Sequence, residues 1–140
     1  MTLESKSSTL ERGGALAGVA VMSAAGFALR YFNPATAGFF PVCPLLKLTG
    51  LACPGCGLTR GFHALLHGDI PAALGYNLLL PVILFFSAFL FVSLFFTFAR
   101  GRGLNFRFFG PKLIWGFFIL ALAFGIVRNL PYYPFNILYP

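Results

Sequence analysis

Three cysteines and two histidines carry most of the chemistry that this sequence can offer. Cys53 and Cys56 are separated by Pro-Gly and followed by a further Gly, and Cys43 precedes them. Two thiolates at this spacing in a glycine-containing turn are typical of a zinc knuckle. A helix would place His63 and His67 on one face, because they stand at positions i and i+4. The sequence therefore predicts a candidate zinc site with Cys53 and Cys56 as ligands, and Cys43, His63 and His67 are candidates for the remaining positions.

The same cysteines also allow thiol redox chemistry. A Cys-x-x-Cys pair on the oxidising side of a membrane can cycle between dithiol and disulfide, with Cys43 as a resolving or alternate partner. A thioredoxin-like motif, however, opens a helix within a βαβ pattern, which this chain lacks, and Pro54-Gly55 reverses the usual Gly-Pro order. A static disulfide between two of the three cysteines is a third interpretation, and the sequence leaves the state of the thiols open.

A further hypothesis concerns anions. Gly55 and Gly57 precede a predicted helix whose first turn contains Thr59 and Arg60. Free backbone N–H groups, the helix dipole and a guanidinium are able to hold a phosphate, a carboxylate or a lipid headgroup. The plainer interpretation is that Thr59 caps the helix and that Arg60 extends to the headgroups.

Asp69 is the only acidic residue beyond the N-terminal tail. It fits the N-cap of a helix that begins near Pro71. Because an unpaired charge near hydrocarbon is costly, we also expect Asp69 to pair with Arg128 or Arg60.

The composition indicates a small membrane protein. Of 140 residues, 59% are hydrophobic and only 9% are charged, whereas soluble domains carry about 25% charged residues. The formal net charge is +7, but the basic residues lie at the ends of apolar runs, where they set topology and meet lipid headgroups. There is no clustered basic face with aromatic residues, so nucleic-acid binding is not predicted.

The apolar runs predict an all-α membrane protein with three transmembrane helices, at about residues 13–30, 78–99 and 112–128. Residues 1–12 read as a flexible tail, and residues 13–140 form a single membrane domain. The Pro- and Gly-rich motif region, residues 43–77, contains a short amphipathic helix at 58–67 that we expect at the membrane interface. Cleavage of the first apolar run as a signal peptide is an alternative, because Ala35-Thr36-Ala37 has the required small residues.

The basic residues also suggest an orientation. The 100–112 loop carries the densest positive charge, which predicts that it and the N-terminus are cytoplasmic and that the motif region lies on the outer side of a bacterial inner membrane. Gly14 and Gly18 form a GxxxG pattern in the first run, which favours contact with a helical partner or a second copy of the chain. Membrane lipid is the other expected partner.

The motif region resembles a family of small bacterial integral membrane proteins of unknown function. The family pattern is CP-x-x-x-LTG-x-x-CPGCG-x-TR, then GD, Ala and Asn, and the matching positions here are Cys43-Pro44, Leu48-Thr49-Gly50, Cys53-Pro54-Gly55-Cys56-Gly57, Thr59-Arg60, Gly68-Asp69, Ala73 and Asn77. The tail also resembles the end of the family at Arg128-Asn129, Pro131 and Pro134-Phe135. Two departures are Leu78 in place of the usual Pro, and His63 and His67, which the pattern does not require. The resemblance implies a membrane location and brings no activity.

The sequence has no paired carboxylates, no Ser-His-Asp set and no phosphate-binding loop. We therefore expect a non-enzymatic membrane module in which the motif forms an ordered interfacial cap for a protein partner or a lipid headgroup. The alternative is a metal-binding or thiol-redox membrane protein that uses Cys53 and Cys56 with Cys43 or the two histidines.

Overall fold

The computed structural model of the chain describes residues 8–105 and 110–132. These residues form six helices joined by turns: α1 (Thr9–Tyr31), α2 (Pro44–Thr49), α3 (Leu58–Leu66), α4 (Ile70–Tyr76), α5 (Leu80–Arg100) and α6 (Pro111–Val127). The described part of the chain is helical without strands, which confirms the predicted all-α class.

Two of the helices are long and apolar enough to cross a membrane. Helix α1 has 23 residues and α5 has 21, which corresponds to about 32 Å or more at a rise of about 1.5 Å per residue. Helix α6 is apolar but has only 17 residues, so the predicted third span is not confirmed. The side chains of these helices are mostly exposed, as expected of surfaces that face lipid.

Helix α1 begins earlier than predicted. Ser8 accepts a hydrogen bond from the backbone of Glu11, and the Glu11 side chain accepts one from the backbone N–H of Ser8. This capping box fixes the helix start at Thr9, within the stretch expected to be a flexible tail. Residues 1–7 of that predicted tail lie outside the described residues.

Helices α1 and α5 pack in antiparallel fashion along their length. The Arg12 side chain, near the start of α1, donates to the carbonyl of Phe98, near the end of α5, at 2.9 and 3.1 Å. In the middle of the pair, a Cβ built on Gly18 would lie 2.9 Å from Leu94, so the helices are close there. Gly18 is therefore used inside the chain, whereas Gly14 faces open space.

The short helices α3 and α4 form a hairpin beside the start of α5. Gly68 makes the turn in a left-handed conformation (φ 83°), and the Asp69 side chain then caps α4 by accepting from the N–H of Ala72. A Cβ on Gly61 would lie 3.1 Å from the carbonyl oxygen of Ala73 and 2.8 Å from Leu80. The predicted amphipathic helix is thus present as α3, and it is anchored by close packing at its glycine.

Most of the buried residues gather at one end of the helices, whereas Ala15 and Ser93 are buried within α1 and α5. Those at this end include Ala52, Cys56, Ala73, Asn77, Leu80 and Arg128, each at most 5% exposed. Most of them come from the loop between α2 and α3 and from the segments that meet it. The best-packed part of the described chain is therefore the motif region.

Candidate metal centre

Residues 53–57 form a tight double turn. The N–H of Cys56 donates to the carbonyl of Cys53, and the N–H of Leu58 donates to the carbonyl of Gly55. Pro54 suits the second position of the first turn because its φ is already fixed. Gly57 adopts φ 87°, a conformation that favours glycine, immediately before α3 begins. We call residues 53–57 the cysteine loop.

The cysteine loop places its two sulfur atoms side by side. The Sγ atoms of Cys53 and Cys56 are 3.1 Å apart, and the N–H of Cys53 also points to the Cys56 sulfur at 3.2 Å. Cys43 joins them from the N-cap of α2, so that all three Sγ atoms lie within 4.8 Å of one another. Two separate segments of the chain thus bring every cysteine in the sequence to one point.

Two of the three cysteines have shifted pKa values. The pKa of Cys43 is lowered to about 7, first because the backbone N–H of Leu46 favours the thiolate, and then because Cys53 and Cys56 hydrogen-bond to it. Burial, followed by the hydrogen bond with Cys53, raises the pKa of Cys56 to about 12. At neutral pH Cys43 is therefore about half ionised, beside a protonated Cys56.

Behind the loop, the guanidinium of Arg128 binds its backbone. Arg128 is fully buried, and one of its terminal nitrogens donates at 3.0 Å to the carbonyls of both Cys53 and Cys56. The guanidinium also lies 5.0 Å from the centre of the Phe124 ring. These contacts join the end of α6 directly to the two cysteines of the loop.

Two asparagines complete this support. Asn77 donates to the carbonyls of Pro54 and Cys56 at 2.8 and 3.0 Å, while its own oxygen accepts from the N–H of Leu79. Asn129 both accepts from and donates to the backbone of Ala52, each at 2.8 Å. The backbone of the cysteine loop and of the adjacent Ala52 is therefore held by three polar side chains, of which Asn77 and Arg128 are buried.

This arrangement suits a thiophilic metal ion. With Zn–S bonds of about 2.3 Å, sulfurs in a tetrahedral zinc site stand roughly 3.8 Å apart. This spacing lies between the 3.1 Å that separates the Cys53 and Cys56 sulfurs and the 4.8 Å within which all three sulfurs lie. Thiolates are the ligands preferred by zinc and cuprous ions. Of the predicted ligands, Cys53, Cys56 and Cys43 come together.

The structure does not bring the predicted histidine ligands to this cluster. Nδ1 of His63 lies 2.6 Å from the carbonyl oxygen of Leu29, and Nδ1 of His67 lies 2.8 Å from the carbonyl oxygen of His63. The two rings pack on each other with centroids 4.3 Å apart. Both histidines lie along α3, on the side of the hairpin and of α1. The interpretation of Cys53, Cys56, His63 and His67 as one ligand set is therefore replaced by a cluster of three cysteines.

The other predicted site residues have structural surroundings. Gly57 is the N-cap of α3, Thr59 is half-buried in its first turn, and Arg60 is exposed. Gly55 lies in the turn, near the side chain of Leu58. No described contact gathers these four residues around a common point, so their role in anion binding stays a prediction.

The described contacts of Asp69 and Arg128 are of another kind, and the predicted pairing of Asp69 with Arg128 or Arg60 stays a prediction. The Asp69 carboxylate caps α4, and one terminal nitrogen of Arg128 donates to two of the loop carbonyls. A buried guanidinium needs hydrogen-bond acceptors, and the carbonyls of the tight turn supply two of them.

Residue chemistry alone predicted no role for Asn77 and Asn129, which the sequence analysis named only through the family resemblance. The available signal was their position, since each is a polar residue at the end of a long apolar helix. Such a residue is costly unless it has partners, and here the partners are the loop backbone.

Comparison with known proteins supports the resemblance in part. A family model described as a protein of unknown function, DUF2752, matches residues 43–91. The match includes the three cysteines, α3, α4 and the first part of α5, and it leaves α1 and α6 outside. No curated protein and no solved structure matches the chain. The matched region is similar to an uncharacterised family, and the similarity assigns no activity.

Proposed function

We propose that this chain is a membrane protein that binds a thiophilic metal ion of the zinc type through Cys43, Cys53 and Cys56. In this proposal the motif region is an ordered cap, as expected from the sequence, and its purpose is to present three thiols. The chain acts as a binding module and carries out no catalysis.

The observation that carries the proposal is the convergence of three sulfur atoms from two segments within 4.8 Å. Cys53 and Cys56 belong to one turn and would meet in any such loop, but Cys43 belongs to a separate segment, at the N-terminal end of α2. The buried contacts of Arg128 and Asn77 to the loop carbonyls further support a purpose-built cap, because they fix the backbone that carries two of the ligands.

Metal analysis tests the proposal. The full-length chain is purified in detergent without chelator, and its metal content is measured by mass spectrometry. We expect about one ion per chain in the wild type and a loss of most of it in Cys43→Ser, because two thiolates rarely suffice for tight zinc binding. His67→Gln is the matched control, since His67 is exposed and lies outside the cluster, and it should retain the ion.

Circular dichroism of each variant checks that the helices persist. Stoichiometric metal in a variant with all three cysteines replaced by serine would contradict the proposal. So would a wild-type protein that holds no ion after purification and takes up none when zinc is added.

Thiol redox chemistry is a second candidate, and the 3.1 Å separation of the Cys53 and Cys56 sulfurs favours it. In that case the pair gives up two electrons and two protons to an external thiol oxidant and forms a disulfide. Intact mass after treatment with oxidised glutathione distinguishes the two functions. A loss of two hydrogens that added zinc does not prevent supports redox chemistry, whereas protection by zinc supports metal binding.

We propose further that the chain lies in the cytoplasmic membrane of a bacterium, with α1, α5 and α6 as its spans and the cysteines on the outer side. The two membrane-capable helices and the apolar α6 support this placement, as does the basic 100–112 loop. Lipid is then the first partner of the cap, through its exposed basic residues Lys47 and Arg60. A helical partner or second copy would use the Gly14 end of α1, because Gly18 already lies against Leu94.

A further inference from the structure

We infer that the metal centre keeps one coordination position for a ligand that comes from outside the chain. This inference rests on the proposed metal function and adds that the bound ion is exchangeable. The position would take a soft or borderline donor, such as a thiolate or an imidazole.

The first argument is the number of donors. The sequence has 3 Cys and 2 His, and all five lie among the described residues. Three sulfurs form the cluster, whereas the histidines lie outside it and contact backbone carbonyls of Leu29 and His63.

The acidic residues that the structure describes are also engaged elsewhere. Asp69 caps α4, and Glu11 belongs to the capping box at the opposite end of α1. Within residues 8–105 and 110–132, the cluster therefore offers three ligands, whereas zinc takes four.

The second argument is the direction from which a fourth ligand can approach. Cys56 is 5% exposed, and the buried side chains of Asn77 and Arg128 both donate to its carbonyl oxygen. Cys43 and Cys53 are only half-buried. The free position of a bound ion therefore faces outward, on the side of Cys43 and Cys53.

The third argument is how Cys43 is held. It is the N-cap of α2, a helix in which no residue is buried and in which Leu48 is 84% exposed. Two ligands thus come from a loop fixed by buried hydrogen bonds, and the third comes from a lightly packed helix. Cys43 is the ligand that can yield most easily to an incoming donor.

These features match the coordination of zinc sites that bind an exogenous ligand, which have three protein ligands and an open position. Closed sites of four protein ligands serve structure only. Exchange at the open position is a ligand substitution in which one metal–ligand bond forms and another breaks, with no change of oxidation state. A donor that binds there is placed to take the ion away or to deliver it.

Cobalt spectroscopy tests the inference on the full-length chain in detergent micelles. Co²⁺ takes the place of Zn²⁺ and reports its own coordination through its visible absorption bands. We expect imidazole, and separately 2-mercaptoethanol, to shift these bands in a saturable titration. We also expect His67→Gln and His63→Gln to leave the starting spectrum unchanged.

A spectrum that does not respond to either added donor would overturn the inference while leaving the metal function intact. A changed starting spectrum in a histidine variant would do the same, because the chain itself would then supply the fourth ligand. If Co²⁺ produces no thiolate-to-metal absorption at all, the proposed metal function fails and the inference fails with it.

Discussion

At the scale of single residues, the main feature is that two chemically identical thiols, Cys43 and Cys56, are made different by their surroundings. Cys43 receives backbone hydrogen bonds at the start of a helix, which lowers its pKa, whereas burial raises the pKa of Cys56. Because Cys43 ionises near neutral pH, it is the cysteine best prepared to meet a metal ion as a thiolate, whereas Cys56 must lose its proton on binding.

Alkylation of the metal-free protein tests this difference. Thiolates react with iodoacetamide and thiols do not, so the Cys43 rate should rise through pH 7 and level off above pH 8. The alkylation rate of an ordinary thiol would continue to rise up to about pH 9 or higher. After allowance for the weaker nucleophilicity of a low-pKa thiolate, Cys43 should react roughly three-fold faster than an ordinary thiol at pH 7.

Mass spectrometry of peptides separates the three cysteines in this experiment. Cys56 is the internal control, because its raised pKa and its burial should keep it nearly unreactive below pH 9. A half-maximal rate for Cys43 near pH 9 would contradict the expected thiolate.

At the scale of elements, the α3–α4 hairpin supports the cysteine loop. The contact of Gly61 with Ala73 and Leu80 allows α3 to approach α4 and the start of α5 closely. That approach brings Asn77, at the junction of α4 and α5, within hydrogen-bond distance of the loop carbonyls.

A pair of glycine substitutions measures how much this packing contributes. Gly61→Ala places a methyl group 2.8 Å from Leu80 and 3.1 Å from a backbone oxygen, so we expect a loss of about 1–3 kcal/mol of stability. Gly75→Ala is the matched control, because a Cβ there meets nothing within 4 Å and alanine favours the helix. Thermal unfolding in detergent should rank the midpoints as Gly61→Ala lowest and Gly75→Ala at or above wild type.

Equal midpoints for the two variants would mean that the hairpin shifts to accept the methyl group. In that event the close approach at Gly61 is not what positions Asn77.

The elements were largely predictable from sequence, whereas the contacts of the site were only partly so. Hydrophobic periodicity predicted α3, and Gly68 and Asp69 predicted the turn into α4. The histidine spacing correctly indicated one helix face, but it gave no information on whether that face met the cysteines. The role of Arg128 was also hidden, since a charge near hydrocarbon suggests an acidic partner, whereas two of its acceptors are backbone carbonyls that no residue type encodes.

At the scale of the whole molecule, the described chain has its tight packing at one end and long apolar helices leading away from it. A soluble protein would bury the large side chains of those helices, but here residues such as Phe85, Trp115 and Ile119 are more than half exposed. This distribution fits a protein whose helices are solvated by lipid and whose ordered cap lies at one membrane surface.

Topology can be measured with single cysteines in a background that lacks the three native ones. Because α5 is long enough to span, Lys47→Cys and Arg102→Cys should lie on opposite sides of the membrane. A membrane-impermeant maleimide added to intact cells should then label only one of them, and the orientation proposed above predicts Lys47→Cys. Labelling of both variants after permeabilisation confirms that each cysteine is reactive.

Equal labelling of both positions in intact cells would contradict a spanning α5. Labelling of Arg102→Cys alone would keep the span and reverse the orientation.

The bonds from Arg128 to the cysteine loop and from Asn129 to the adjacent Ala52 connect parts of the chain that are 75 and 77 residues apart. During synthesis the cysteines leave the ribosome long before these two residues do. The loop therefore acquires its last supporting bonds only when α6 has been made and put in place. A chain that holds an ion in its completed cap would then be one whose synthesis had passed Asn129. A ribosome stalled before that point would yield a chain that has its thiols but lacks these supporting bonds.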